Sequence, residues 1–215
     1  MKKLKILIVA LTVFLNCSTV VAQVTNVVEP AAQAIDLVRS GQRVWFDFLS
    51  QGDHQMVAYY DASRQMSVAV RELRDLNGAP WQFHKVASYL GWDAHNHVEA
   101  AFDKNGIIHL VGNMHANPLV YFRSTEPYDP RTLKQVAVMA KEQDERSMTY
   151  PGFFKGPDGR LYFKYRDGTS GQGQWFYNRW DAETGTWAHL HDTALLDGEG
   201  KRGVYPLGPI IGPDG

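Results

Sequence analysis

Two histidines flank a predicted β-turn at equal distances along the chain. His95 lies ten residues before Asn105 and His115 lies ten residues after it. The segment Lys104-Asn105-Gly106 predicts the turn of a β-hairpin, because Asn-Gly readily adopts the backbone conformation that such turns need. Antiparallel strands leaving this turn would bring both imidazoles to the open end of the hairpin. Neutral imidazole accepts a proton near neutral pH, so the pair is a candidate proton-transfer site.

The same symmetry recurs about fifty residues later. Tyr150 and Arg166 lie eight residues on either side of Asp158, the centre of the Gly-Pro-Asp-Gly turn at 156–159. We therefore expect these two residues and the two histidines to lie on one face of the molecule. Arginine is a permanent two-pronged partner for a carboxylate, and tyrosine can exchange a proton when its pKa is shifted. The four residues are thus the parts of an acid/base site for an anionic substrate.

β-Elimination in a uronate polysaccharide requires this combination of side chains. Arg166 would neutralise the carboxylate, a base would remove the neighbouring C5 proton, and an acid would protonate the departing O4. The chemistry itself requires no cofactor. Tyr205, ten residues before Gly215, occupies the corresponding place in the next unit.

Two alternatives remain compatible with these residues. The first is a glycoside hydrolase, for instance a rhamnosidase-like one. Such an enzyme normally uses two carboxylates facing the bond, and the nearest acids here are Asp93 and Glu99. A non-catalytic carbohydrate-binding protein would be favoured by buried, hydrogen-bonded His95 and His115. Fold alone does not decide among these functions. His109 lies in mid-strand and is predicted to be structural.

Short strands in repeated units must position these side chains. Turns at 103–106, 156–159 and 212–215 recur at separations of 53 and 56 residues. Four β-rich runs, at 44–49, 55–60, 66–71 and 81–86, precede the first of these turns. Four strands per unit at this period predict an all-β fold, a β-propeller of four-stranded antiparallel blades. The expected blades cover 42–90, 95–142, 149–192 and, incompletely, 204–215.

Only residues 31–40 and part of 132–143 have helix-like spacing, and both segments are short, so we treat them as interruptions of the sheets. The third strand of the second unit is predicted at 117–123. Because three blades cannot close a ring, we expect the chain to be the N-terminal part of a longer protein.

Composition sets the remaining bounds. The chain has 215 residues, of which 44% are hydrophobic and 21% charged, as in globular proteins. Residues 1–22 predict a cleaved signal peptide, with a basic start, an apolar run and a small-residue cleavage site, so the protein is expected to be secreted and free of the membrane. Residues 23–215 would form the domain, without the only cysteine, Cys17. Neither a basic run nor zinc-finger spacing is present, which excludes the usual nucleic-acid binders.

Four motifs, in order, resemble the BNR-repeat family that contains the propeller ulvan lyases. They are Gly-Trp-Asp-Ala-His-Asn-His at 91–97, Gly-Asn-Met-His-Ala-Asn-Pro-Leu-Val-Tyr-Phe-Arg at 112–123, Thr-Tyr-Pro-Gly-Phe-Phe-Lys-Gly-Pro-Asp-Gly at 149–159 and Tyr-Arg-Asp-Gly-Thr-Ser-Gly at 165–171. The resemblance covers about 42–215. It implies a seven-bladed propeller that cleaves ulvan, a sulphated polysaccharide of rhamnose and uronic acids.

The resemblance also implies roles for particular residues. His95 and His115 would correspond to the paired histidines of the family, Tyr150 to its tyrosine and Arg166 to the arginine that neutralises the uronate. The resemblance leaves open which residue is base and which is acid; we take His95 as the base, Tyr150 as the acid or a shared base, and His115 as an orienting residue. Substrate binding is assigned to Asn96, Asn113, Arg179 and Tyr205. Where His97 stands, a smaller residue is usual in this family. A structural calcium or zinc ion, present in some members, would be held downstream of this chain, and the protein is expected to act as a monomer.

Overall fold

The computed structural model describes residues 34–74, 79–206, 208–210 and 212. The predicted signal peptide, 1–22, lies outside these residues. The described part of the chain contains thirteen β-strands and two three-residue 3-10 helices, Pro130–Thr132 and Glu142–Asp144. The predicted all-β fold of antiparallel sheets is therefore confirmed: two of the three sheets in these residues have four strands, and the third has five. Within these same residues, no helix is long and apolar enough to cross a membrane.

The first sheet has its strands in sequence order, and every neighbouring pair is antiparallel. Both faces of its central strands are covered: Met56 and Ala58 join one core cluster, whereas Val57 joins another. This explains the continuous apolar runs in these strands, since a sheet buried on both faces needs no polar alternation. The strands are β1 (Asp47–Gln51), β2 (His54–Tyr60), β3 (Gln65–Glu72) and β4 (Gln82–Tyr89).

The second sheet contains the predicted hairpin around Asn105. Val98 pairs with Gly112 and Phe102 pairs with Ile108, so the ladder is centred on Asn105 as predicted. The sheet order is β5 (Val98–Phe102), β6 (Ile108–Gly112), β8 (Tyr121–Arg123) and β9 (Lys134–Gln135).

One short strand leaves the second unit and joins the third sheet. β7 (His115–Asn117) pairs with β10, although the sequence assigned 117–123 to a strand of the second unit. Only β8, which begins at Tyr121, fulfils that assignment. The third sheet runs in the order β13 (Thr186–His189), β12 (Gln174–Asp181), β11 (Leu161–Asp167), β10 (Met148–Lys155) and β7.

Consecutive sheets pack face to face through two apolar clusters. Ala100 of β5 belongs to a cluster shared with the first sheet, whereas its neighbour Ala101 belongs to a cluster shared with the third. Successive residues of a strand point to opposite faces, so the second sheet is a layer between the other two.

The two segments with helix-like spacing were expected only as short interruptions of the sheets. Neither 34–40 nor 132–143 forms an α-helix; within the described residues the first holds only a β-bridge at Val38, and the second ends in the 3-10 turn Glu142–Asp144. The described residues from 204 onward form no strand, and the fourth blade stays a prediction because 207, 211 and 213–215 lie outside them.

Candidate active site

The two histidines of the first symmetric pair are in contact. The ring centroids of His95 and His115 lie 4.2 Å apart in a stacked arrangement. Their side chains remain 46% and 33% exposed, respectively, so both are accessible to a substrate. A non-catalytic binding protein would be favoured if both histidines were buried, so their exposure does not favour that alternative.

Asp93 joins the two rings through its carboxylate. Oδ1 lies 2.5 Å from Nδ1 of His95, and Oδ2 lies 2.6 Å from Nδ1 of His115. The backbone N–H of His95 also donates to Oδ1, at 2.8 Å. These hydrogen bonds, led by the one from the His95 backbone, lower the pKa of Asp93 to about 2. The carboxylate is therefore ionised and can only accept, which places the proton of each imidazole on Nδ1.

Nε2 of each ring is consequently the nitrogen that can take a proton. No hydrogen bond within the described residues involves Nε2 of His95 or His115. An imidazole held through Nδ1–H by a carboxylate presents a basic Nε2, which is the arrangement that general-base catalysis requires.

Hydrogen bonds on one side and strand pairing on the other hold these histidines in place. Asn113, whose φ of +57° places it in the left-handed region, accepts a hydrogen bond from the backbone of Gly91 and donates one to the carbonyl of Tyr89. It thereby fixes the loop that carries Asp93. On the other side, His115 pairs with Thr149 of β10, so its position depends on the third sheet.

Tyr150 reaches the site through a β-bulge. Thr149, not Tyr150, pairs with Arg166, and the register then shifts before Gly152 pairs with Lys164. The predicted pairing of Tyr150 with Arg166 is thus displaced by one residue. Tyr150 itself has φ +55°, a strained conformation for a bulky side chain.

The bulge turns the Tyr150 ring toward both partners. Its centroid lies 5.7 Å from that of His95 and 5.0 Å from Cζ of Arg166. The structure therefore brings together all four residues of the predicted constellation.

Arg166 is 2% exposed, and its charge has no acidic partner among the described residues. Nη1 donates to the hydroxyl of Tyr205 at 3.2 Å, and Nε, also buried, has no hydrogen-bond partner. Gly173 leaves room for this side chain, since a Cβ there would collide with Cδ of Arg166. A buried guanidinium that lacks a carboxylate is costly unless a ligand supplies one.

A cavity of about 380 Å³ adjoins Tyr150. The ring of Trp175 is parallel to that of Tyr150, with centroids 6.1 Å apart. Burial raises the pKa of Glu99 to about 7, with a further contribution from the nearby charge of Asp47. The lining includes Trp45, His97, Glu99, Lys164, Trp175, Tyr205 and Pro206.

Unlike Tyr205, the other three predicted substrate-binding residues are not part of the lining of the cavity beside Tyr150. Arg179 pairs with Tyr162 at the turn end of the third sheet, four residues along β12 from the partner of Arg166, and it lines a separate cavity of about 300 Å³. Asn113 uses its amide to hold the loop 89–91. Asn96 is buried, although its Oδ1 has no partner within the described residues. The register thus separates Arg179 from the site.

Asp93, His95 and His115 also present three ligand atoms within 4.8 Å of one another. Among the described residues they form the one group of at least three such side chains that could hold a metal ion. Sequence analysis assigned no metal ligands to this chain. Both carboxylate oxygens of Asp93 and the Nδ1 atoms of His95 and His115 already have a hydrogen-bond partner within the group. The arrangement is therefore satisfied as a carboxylate–histidine network.

Sequence reasoning missed the role of Asp93 and Trp175. Asp93 was considered only as an acid for hydrolysis. The signal that could have found it is the spacing Asp93-Ala-His95, because an aspartate often accepts from the backbone N–H two residues later. No comparable sequence signal marks Trp175, which reaches Tyr150 across the sheet.

Comparisons with known proteins agree with this architecture. The model of a family described as BNR repeat-containing matches residues 54–215. No curated protein sequence matches the chain. The crystal structure of the polysaccharide lyase Uly1 superposes with a TM-score of 0.59 and 16% identity over 76% of this chain and 45% of that one. The chain thus spans less than half the length of that lyase.

Two further solved structures are of an ulvan lyase from polysaccharide lyase family PL25. The one bound to -[GlcA(1-4)Rha3S]- has a TM-score of 0.49 at 15% identity, and it covers 66% of this chain and 36% of that one. The other has a TM-score of 0.48 at 15% identity, covering 72% and 38%. At these identities the likeness concerns the fold.

Proposed function

Because the chain belongs to the BNR repeat-containing family, we propose that it is a polysaccharide lyase that cleaves ulvan, or a related uronate-containing sulphated polysaccharide, by β-elimination. The four motifs that resemble the propeller ulvan lyases support this proposal, as does the fold shared with a polysaccharide lyase. The side-chain chemistry of the site is the further support.

The observation that carries the proposal is the environment of Arg166. Its guanidinium is buried beside Tyr150, and no described carboxylate lies within 4.0 Å of it. A uronate carboxylate would supply the missing partner. Neutralising that carboxylate makes the C5 proton more acidic, and the developing negative charge of the transition state would be stabilised by the same guanidinium.

The proton transfers follow from the Asp93 network. His95 Nε2 removes the C5 proton while Asp93 holds its Nδ1–H and stabilises the imidazolium that forms. Tyr150, whose ring is in T-shaped contact with that of His95, protonates the departing O4 or shares the base role. His115, fixed by the same carboxylate, orients the sugar. No step requires a cofactor.

The test is the formation of unsaturated uronyl product from ulvan by the full-length protein, followed by ultraviolet absorbance. Arg166→Ala and His95→Ala should lower kcat by roughly 10²–10⁴-fold, because each removes electrostatic stabilisation or the base. His191→Ala, at an exposed histidine outside the site, is the matched control and should leave turnover unchanged. Full turnover in both site variants would overturn the proposal.

A glycoside hydrolase is the second candidate, and the raised pKa of Glu99, about 7, favours it. A protonated carboxylic acid at neutral pH is what such an enzyme uses to protonate a leaving group. Asp47, the carboxylate whose charge acts on Glu99, accepts a hydrogen bond from the backbone of Ala100 and does not line the same cavity as Tyr150. New reducing ends without unsaturated product would indicate hydrolysis instead.

We also propose that the protein is exported through its predicted signal peptide and acts as a monomer on this anionic polymer. From the family resemblance we further propose that the whole protein holds a structural calcium or zinc ion.

A further inference from the structure

Lys164 lies on the same strand and the same face as Arg166. Alternate residues of a strand share a face, which places the two side chains roughly 7 Å apart along β11. The intervening Tyr165 and its neighbour Phe163 point the other way, into the core between the second and third sheets. The two cationic side chains therefore project from the same face of β11, on the side where Tyr150 lies.

The ammonium of Lys164 is half-buried and has no ion pair among the described residues. It lies 5.6 Å from the centroid of Trp175 and would be 3.5 Å from a Cβ built on Gly208. The nearest acid that acts on it, Glu99, is too far away for an ion pair, and burial lowers the pKa of the Lys164 ammonium. A cation in such a place gains from a bound anion.

The shape around Lys164 suits a sugar. Lys164 lines the cavity of about 380 Å³ together with Tyr150, Trp175 and Tyr205. Aromatic faces with a few convergent polar groups are typical of sites for carbohydrate-sized ligands. Gly152, which pairs with Lys164 across the ladder, contributes to this space because a Cβ there would approach Cε of Lys164 to 3.0 Å.

We propose that Lys164 and Trp175 form a second anion-binding subsite, which holds the negatively charged group of the sugar adjacent to the one whose carboxylate binds Arg166. The proposal rests on the proposed function, since it presumes that a uronate polymer occupies the site. The ligand chemistry is an oxyanion on a sugar ring, either a sulphate or a second carboxylate. Two cations on one strand face would thus bind two neighbouring sugars. They would fix which sugar of the polymer lies beside the acid/base residues.

Binding of ulvan to the full-length protein tests the subsite. A His95→Ala background keeps the polymer intact. In that background Lys164→Met should weaken the affinity about tenfold, the loss of one charge-assisted contact, and lower its salt dependence. Lys164→Arg should stay within about threefold, because the charge remains. Lys104→Met, at an exposed lysine in the Asn105 turn, is the matched control and should bind normally.

Chemically altered polymers identify the anion. Loss of the Lys164 effect with desulphated ulvan would assign a sulphate, and loss with carboxyl-reduced ulvan would assign a carboxylate. An effect that survives in a polymer stripped of both groups would overturn the subsite. Equal binding by Lys164→Met and its parent would also overturn it. Should the Met variant not fold, Lys164→Gln gives the same comparison.

Different results would refute the subsite and the lyase activity. Unsaturated product with unchanged Lys164→Met affinity would refute only the subsite. Weakened binding in Lys164→Met without any unsaturated product from the wild type would refute only the lyase mechanism, and the polymer-binding role of Lys164 would stand.

Discussion

Asp93 determines which nitrogen of each histidine can act as a base. It accepts Nδ1–H from His95 and from His115, and both of its oxygens are used. In Asp93→Asn one oxygen becomes an NH₂ group, which cannot accept. One imidazole must then move its proton to Nε2 or lose its partner, and either change removes a base.

We therefore expect Asp93→Asn to lower kcat for ulvan on the order of 10²–10⁴-fold with a much smaller change in KM. Steady-state kinetics on the full-length protein measure both constants. Asp181→Asn is the control, because Asp181 caps a turn in the same way, by accepting from Glu183 and Thr184, at the opposite end of the third sheet. A KM effect alone would mean that Asp93 only binds substrate.

At the scale of elements, the turn between β11 and β12 shapes the pocket of Arg166. Gly173 lies against this side chain with no space for a Cβ, whereas a Cβ built on Gly171 in the same turn would meet no atom within 4 Å beyond its chain neighbours. Gly173→Ala should push the guanidinium out of place. Displacements of about 1 Å can cost roughly 10²-fold in rate.

The expected result is a large fall in kcat/KM for Gly173→Ala with a folded protein, and little change for Gly171→Ala. Circular dichroism and thermal melting verify the fold, and the ultraviolet assay measures the rate. Equal activity in the two variants would show that Arg166 tolerates displacement or has no part in turnover.

Elements also explain which parts of the site the sequence could predict. Hairpin centres follow from local turn residues, so the pairing around Asn105 and the meeting of His95 with His115 were predictable. The bulge at Tyr150 and the transfer of β7 to the third sheet depend on contacts between units that are distant in sequence. The sequence assigned Arg179 to the site because, without the strand register, it cannot show at which end of the third sheet this residue lies.

At the scale of the whole molecule, the second and third sheets meet around one buried histidine. His109 of β6 is fully buried, as predicted for a structural residue, and its Nδ1 lies 2.8 Å from the hydroxyl of Tyr121. Trp180 and Trp187 of the third sheet present their ring faces or edges to it at 4.6 and 5.4 Å. Burial lowers the pKa of His109 from 6.5 to about 3.

This environment links the packing of the sheets to pH. The folded protein holds His109 neutral, whereas the unfolded chain binds a proton below pH 6.5, so the folded state loses stability as the pH falls from 6.5 toward 3. The loss is about 1.4 kcal/mol per pH unit, or roughly 2 kcal/mol at pH 5. His84, His97 and His189, whose pKa values burial also lowers, add to it in the same direction.

Replacing His109 by glutamine isolates its contribution. Glutamine does not titrate, and its amide can still bond the hydroxyl of Tyr121. Urea unfolding at pH 7.5 and pH 5 should therefore show a smaller loss of the free energy of unfolding in His109→Gln than in the wild type, by roughly 2 kcal/mol. His191→Gln, at an exposed histidine, should keep the wild-type loss. Parallel losses in all three proteins would mean that His109 is protonated within the fold, and that the junction of the two sheets can accommodate a charge.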